Sequence, residues 1–128
     1  KADQVADLLE KKGVYASVIN ARFVKPLDEE LIVNLGRDAK LLVSLEENTI
    51  QGGFGSGVLE ILSKNRICIP TLQIGAPDCF IPQGSPEEQL YEAELSVEQI
   101  FGRVVEKLPE VVKNIKNKRT MEQKKRAS

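Results

Sequence analysis

Three short apolar runs, separated by segments with helical spacing, constrain the fold of this chain more than any other feature. They are VYASVIN at 14–20, LLVSLEE at 41–47 and PTLQIGA at 70–76, each short enough to be a buried strand. Amphipathic segments lie before, between and after them. Short strands that alternate with helices are typical of a parallel sheet covered by helices on both faces. The sequence therefore predicts an α/β fold with three layers and a mostly parallel sheet.

Capping signals mark the ends of the predicted helices. Gly13 follows a lysine pair and ends the first helix, and Asp28 precedes a helix whose first turn carries two glutamates. Serine is followed three residues later by glutamate at 85–88 and by glutamine at 96–99, and each pair predicts a capping box. We expect Pro109 to kink or restart the last helix. The predicted helices cover residues 3–12, 29–35, 55–64, a short segment from 86, and 97–108.

The charges of this 128-residue chain are unevenly distributed. Residues 113–128 carry seven basic side chains and one acidic side chain, a net charge of +6, whereas residues 1–112 carry a net charge of −7. A basic tail can bind nucleic acid or an anionic membrane, but this one lacks the aromatic residues on which bases stack. We interpret residues 1–112 as one domain and residues 113–128 as a solvated, flexible tail, with neither nucleic acid nor membrane as a partner.

The chain has no histidine and two cysteines, Cys68 and Cys79, which form no CxxC pair. These counts exclude nucleophile systems that depend on histidine, and most transition-metal sites. No run approaches the roughly 18 apolar residues of a membrane span, and the chain does not open with a signal peptide pattern. We therefore expect a cytoplasmic protein with reduced thiols.

The stretch EENTIQGGFGSGVLEIL, residues 46–62, has the order strand, glycine-rich turn, helix, in which many proteins hold a phosphate. Its glycines do not match a dinucleotide loop, because Gly53-x-Gly55-x-Gly57 places the third glycine one position early. It also lacks the lysine that closes a P-loop. Ser56 lacks the flanking glycines of a nucleophile elbow and has no histidine base.

Two interpretations of this turn remain open. Gly52, Gly53, Phe54 and Gly55 either let the strand turn tightly into a packed helix at an interface, or present a helix N-terminus to an anion from a partner domain or a ligand. Because the sequence matches none of the known phosphate loops, we favour the packing turn.

Four charged residues follow the carboxyl ends of predicted strands, where α/β proteins bind ligands. Glu46 and Glu47 are adjacent on a strand and point to opposite faces, so at most one faces the crevice, and the other is expected to cap a helix or pair with a lysine. Arg22 and Lys25 together suit a phosphate group. An arginine bound to backbone carbonyls or to one of the glutamates is the simpler interpretation.

Three segments are more specific in combination than any single motif: ARFVKPLDEELI, LVSLEENTIQGGFGSGVLEIL and IGAPDCFIPQGSPEEQL. In this order, across about residues 3 to 108, they resemble the C-terminal domain of 1-deoxy-D-xylulose-5-phosphate synthases. The first two segments recur more loosely in other transketolase-type enzymes, and the GxPDxFIPQG pattern favours the synthases. The C-terminal domain of a pyruvate dehydrogenase E1 β subunit and a non-catalytic module that binds a phosphorylated ligand stay open as alternatives.

The resemblance implies an α/β/α sandwich of the transketolase C-terminal type. It implies a parent enzyme that condenses pyruvate with glyceraldehyde 3-phosphate, with loss of CO₂, in isoprenoid and thiamine biosynthesis. Thiamine diphosphate and Mg²⁺ would lie between the other domains, so we assign no catalytic, cofactor-binding or metal-binding residue to this chain. Its expected roles are homodimer contacts and orientation of those domains, in the bacterial cytoplasm or, in a plant, the plastid stroma.

One departure from the resembled family concerns the sheet. In that family a strand precedes the first helix, whereas this chain opens directly at KADQVADLL. We expect the missing first strand to leave an open sheet edge. The domain would then either cover that edge by dimerising or be marginally stable.

Overall fold

The computed structural model describes residues 1–109. Every predicted helix and two of the three predicted strands are present in this part of the chain. No helix within it is both long enough and apolar enough to span a membrane. In chain order the elements are α1 (Ala2–Glu10), α2 (Glu29–Asp38), β1 (Leu42–Thr49), α3 (Phe54–Lys64), β2 (Thr71–Ala76), α4 (Pro86–Glu92) and α5 (97–109).

The two strands form a parallel pair, with Leu42 opposite Thr71 and Leu45 opposite Ile74. Side chains alternate between the faces of a strand, and the two β1 leucines accordingly enter different cores. Leu42 packs with α2 and α3, whereas Leu45 packs with α1 and α5. The sheet therefore lies between two helical layers, which confirms the predicted three-layer α/β arrangement.

The larger core lies on the α1 and α5 face of the sheet. Its centre is Ile74, whose side chain is completely buried. The α2 and α3 face holds a smaller core of Ile32, Val58 and Leu62. The buried residues of the larger core are Val5, Leu9, Ile74, Ala93, Leu95, Ile100 and Val104.

The predicted strand at 14–20 is wrong. The sheet described within residues 1–109 contains β1 and β2 alone, and residues 15–26 are all exposed to solvent. Val14 is the one residue of the predicted strand that is partly buried. It packs against the larger core, and its backbone N–H donates to the Leu9 carbonyl at 3.0 Å. A strand needs a neighbour for its backbone hydrogen bonds, and an apolar run in a sequence does not show whether that neighbour exists.

The predicted caps are present. The Asp28 carboxylate accepts a hydrogen bond at 3.0 Å from a backbone N–H in the first turn of α2. At the start of α4, Ser85 N–H donates to the Glu88 carboxylate at 2.8 Å, and Glu88 N–H donates to Ser85 Oγ at 3.2 Å. Hydrogen bonding to the carboxyl by the Ser85 backbone N–H, and then by the Ser85 side chain, holds the pKa of the Glu88 carboxyl below its usual value. The second box, at 96–99, forms in the same way before α5.

The predicted boundary between a domain at 1–112 and a basic tail at 113–128 lies outside the described residues. So does the chain beyond Pro109, where we expect a kink or a restart of the helix. Both remain predictions.

Candidate functional site

The glycine-rich turn joins the carboxyl end of β1 to the amino end of α3. β1 ends at Thr49 and α3 begins at Phe54, so residues 50–53 alone make the connection. Gly52 has a positive φ of 71°, a conformation that L side chains rarely adopt, although no atom lies within 4 Å of its Cβ position. The turn thus places a helix N-terminus at the sheet edge where parallel α/β proteins bind ligands.

Glu46 of β1 occupies the anion position at this helix N-terminus. Its Oε2 accepts a hydrogen bond from the Phe54 N–H at 2.7 Å, and its Oε1 accepts one from the Gly55 N–H at 3.0 Å. The first N–H groups of a helix have no partner within it, and together they carry a partial positive charge. Because one carboxylate accepts from two of these groups, an external anion would have to compete with a side chain of the protein itself.

Gly53 and Gly55 permit this close contact because neither position has room for a side chain. A Cβ on Gly53 would collide with the Glu46 carboxylate. A Cβ on Gly55 would collide with Ser44 Oγ and would lie 2.7 Å from Gln73 Nε2. The two glycines therefore allow the start of α3 to lie directly against the paired strands.

Ser56 holds the turn together from the first turn of α3. Its hydroxyl donates a hydrogen bond to the Ile50 carbonyl at 2.9 Å and accepts one from the Gly52 N–H at 3.2 Å. Both partners belong to the backbone of the turn. The side chain that most resembles a nucleophile in the sequence is therefore engaged in backbone hydrogen bonds.

Glu47 points away from the position that Glu46 occupies, as the alternation of a strand requires. Its Oε1 accepts a hydrogen bond from Lys1 Nζ at 3.2 Å, and the Glu47 side chain is 81% exposed. Glu46 caps a helix and Glu47 pairs with a lysine, so each makes one of the two contacts that the sequence analysis expected of the glutamate facing away from the crevice. They do not form an acid and base pair on one substrate.

Arg22 and Lys25 lie in the exposed segment that precedes α2. Within residues 1–109, no ion pair or side-chain hydrogen bond connects either cation to Glu46 or Glu47. Arg22 has a positive φ of 56°, and its backbone N–H donates to Asn20 Oδ1 at 3.1 Å. The two cations therefore present their charge to solvent.

Three residues at this site escaped the sequence interpretation. Ser44 and Gln73 are register partners on β1 and β2 that face Gly55, and their Oγ and Nε2 atoms are buried without a hydrogen-bond partner among the described residues. Gly75 of β2 lies against Glu46, since its Cβ position is 3.0 Å from Glu46 Cγ. A glycine inside a strand marks the close approach of another group, so TLQIGA contained the signal for Gly75.

A groove of about 360 Å³ opens at the same edge of the sheet. Its lining is mainly apolar and includes Ala76, Ile81, Leu90 and Leu95, with the Glu47 carboxylate at one side. One exposed carboxylate among apolar side chains offers no pair of groups for proton transfer. The groove has the chemistry of a contact surface.

The described residues contain no cluster of metal-ligating side chains. No group of three or more His, Cys, Asp or Glu side chains within residues 1–109 could hold a metal ion. A magnesium-bound diphosphate needs one or two free carboxylates, and Glu46 at the α3 N-terminus already accepts two backbone hydrogen bonds. We therefore assign no chemical step in this chain to thiamine diphosphate.

A family model described as the C-terminal domain of transketolase matches residues 1–100. The chain belongs to the transketolase C-terminal domain family. This confirms the resemblance found in the three sequence segments.

Relatives and a solved structure place the chain more closely within this family. It is 46% identical over 104 residues to the 1-deoxy-D-xylulose-5-phosphate synthase of Synechococcus elongatus, a match that covers 81% of the chain and 16% of the relative. It is 49% identical over 89 residues to the synthase of Shewanella putrefaciens, over 70% of the chain and 14% of the relative. The chain therefore spans a small part of the enzymes it resembles.

The solved structure is described as a split-gene transketolase, an inactive β4 tetramer. It matches with a TM-score of 0.75 and 32% sequence identity, over 82% of this chain and 34% of that one. The structural comparison and the family model therefore identify the same family, that of the transketolases.

Proposed function

We propose that this chain is the non-catalytic C-terminal domain of a 1-deoxy-D-xylulose-5-phosphate synthase, and that it orients the other domains and contributes homodimer contacts. The parent enzyme would condense pyruvate with glyceraldehyde 3-phosphate, with loss of CO₂, in the cytoplasm. Thiamine diphosphate and Mg²⁺ would bind to its other domains. The observation that carries this proposal concerns the glycine-rich turn. Its candidate functional groups, the Glu46 carboxylate and the Ser56 hydroxyl, are hydrogen-bonded to the backbone of the chain itself.

The contacts of the turn favour architecture over ligand binding. The Glu46 carboxylate accepts two hydrogen bonds from the N-terminus of α3, and the Ser56 hydroxyl donates one to the backbone of the turn. A phosphorylated ligand at this position would have to displace Glu46 and meet it as a like charge. The phosphate-binding module is therefore the weaker proposal. It would rely on Arg22 and Lys25, which have no ion pair within residues 1–109.

A chimeric synthase tests this proposal. In the Synechococcus elongatus enzyme, the region that matches this chain over 104 residues would be replaced by the matching residues of this chain, and formation of deoxyxylulose phosphate would be measured. We expect turnover within about tenfold of the parent enzyme, because a domain that supplies only architecture tolerates substitutions that preserve its packing. The matched control is the same enzyme truncated before this region, which we expect to lose turnover.

The result that would contradict the proposal is a chimera that folds, binds thiamine diphosphate and produces nothing. Such a result would show that the native region supplies chemistry that this chain lacks.

A further inference from the structure

The outer edge of β2, the side that faces away from β1, carries backbone groups that no strand within residues 1–109 pairs with. The Leu42 N–H donates to the Pro70 carbonyl at 3.0 Å, and Leu42 lies opposite Thr71. Along a strand the backbone groups of successive residues alternate between its two sides, so those of Thr71 and Gln73 point away from β1. Such an edge is a template for pairing with a strand of another molecule.

Arg103 of α5 lies across this edge. Its guanidinium Nη2 donates a hydrogen bond to the Gln73 carbonyl at 3.2 Å, and the contact is part-buried. This carbonyl lies near the middle of the six residues of β2. The guanidinium therefore occupies the position in which the N–H of an added strand would bind. Pairing here would separate a charged donor from its acceptor in a place that the added strand closes to water, which is unfavourable.

Proline limits the same edge at both of its ends. Pro70 and Pro77 flank β2 directly. Proline has no backbone N–H, so neither residue can donate to a ladder that extends beyond the strand. Short edge strands, prolines and charged side chains are the devices by which natural sheets avoid pairing edge to edge. All three occur together at β2.

We propose that Arg103 prevents the outer edge of β2 from pairing with strands of other molecules. It does so by holding the outward carbonyl of Gln73, while the two prolines keep the edge short. Both partners in this contact, β2 and α5, lie in the second half of the chain. The role concerns how the folded domain stays separate in solution, so it goes beyond the proposed function and holds for whichever enzyme carries the domain.

Replacement of Arg103 in the 128-residue chain tests this role. Arg103→Met keeps most of the apolar stem and removes the donor. At about 100 µM protein under native conditions, we expect light scattering to show assembly of this variant at least about tenfold faster than that of the wild type. Arg103→Lys keeps a charged donor and should assemble within about threefold of the wild-type rate.

Amide hydrogen exchange shows where the molecules pair. In assembled Arg103→Met, the Thr71 and Gln73 amides should exchange at least about tenfold more slowly than in the same variant when it is dilute and unassembled, because they gain acceptors. A variant that was only destabilised would show the opposite change, since opening of the structure speeds exchange.

Lys64→Ala is the matched control. It removes the same positive charge and the ion pair with Glu29, on the face of the sheet that α2 and α3 cover. We expect its assembly rate and its Thr71 and Gln73 exchange rates to stay within about twofold of the wild type. Circular dichroism and urea denaturation of each variant show that the comparison is made between folded proteins.

Several results would overturn the proposal. One is an Arg103→Met chain that stays folded and assembles no faster than the wild type. Assembly of Arg103→Lys or Lys64→Ala as fast as that of Arg103→Met would also contradict it, as would protection of the Val43 amide, at the outer edge of β1, in place of those of Thr71 and Gln73. Loss of the native spectrum in both Arg103→Met and Arg103→Ala would show that this residue supports the fold itself.

Discussion

Replacement of Gly55 by alanine should lower the free energy of unfolding by about 3 kcal/mol, because overpacking a filled site forces neighbouring groups to move. Gly55 is buried at the start of α3. An added Cβ would collide with Ser44 Oγ and lie 2.7 Å from Gln73 Nε2, and these two residues are paired across β1 and β2. The colliding atoms belong to side chains that are buried between α3 and the strands, so either these side chains must change rotamer in a filled site or α3 must move away. We expect Gly55→Val to prevent folding.

Urea denaturation followed by circular dichroism measures this effect, and Gly102 provides the matched control. Gly102 lies in the helix over residues 97–109 and has no atom within 4 Å of its Cβ position. Gly102→Ala should raise the free energy of unfolding by about 0.5–1 kcal/mol, since alanine favours a helix over glycine. If Gly55→Ala were as stable as the wild type, the close contact between α3 and the strands would be refuted.

Replacement of Glu46 by alanine should lower the free energy of unfolding by about 2–3 kcal/mol, because it removes two hydrogen bonds to a charged acceptor. The Phe54 and Gly55 N–H groups would lose their acceptor at a part-buried helix start. Glu46→Gln should have a smaller effect, since the amide keeps one acceptor oxygen but also turns an NH₂ group toward these donors.

Glu47→Ala is the control for the Glu46 variants. It changes the neighbouring residue, whose side chain is 81% exposed and pairs only with Lys1 within the described residues. Its loss should cost less than about 1 kcal/mol, as for other exposed ion pairs. Hydrogen exchange should show the same contrast, with the Phe54 and Gly55 amides exchanging faster in Glu46→Ala alone. Equal effects of the two alanine substitutions would refute the cap.

Local signals in the sequence predicted most of the elements. The Asp28 cap and the box at 85–88 depend on residues three positions apart, so the side chain and its backbone partner are visible together in the sequence. The two strands of the sheet are apolar runs between such signals. Both faces of the sheet follow from the alternation of side chains along β1.

The segment at 14–20 shows where sequence reasoning stops. Its β-branched and apolar residues have the composition of a strand, yet the structure leaves residues 15–20 exposed and outside the sheet. Strand formation depends on a hydrogen-bonded neighbour that is distant in sequence, and composition carries no information about it. The same limit applies to the pairing of Ser44 with Gln73, which the register between β1 and β2 determines.

The glycine-rich turn was predictable in kind but not in detail. The spacing of the glycines excluded a dinucleotide loop, and the missing lysine excluded a P-loop. The alternation of side chains along a strand predicted that Glu46 and Glu47 would point to opposite faces. Which glutamate would cap α3 depended on the pleat of β1 and on the four-residue connection to Phe54. The outcome is a helix N-terminus with the geometry of an anion site, in which the anion is a residue of the chain.

The central claim is that this chain contributes architecture to an active site that other domains build. Isothermal titration calorimetry of the 128-residue chain with thiamine diphosphate and Mg²⁺ tests it most directly. We predict no heat of binding up to about 1 mM cofactor, because the described residues offer no metal cluster and the α3 N-terminus already holds a carboxylate. Saturable binding in the micromolar range would contradict the claim.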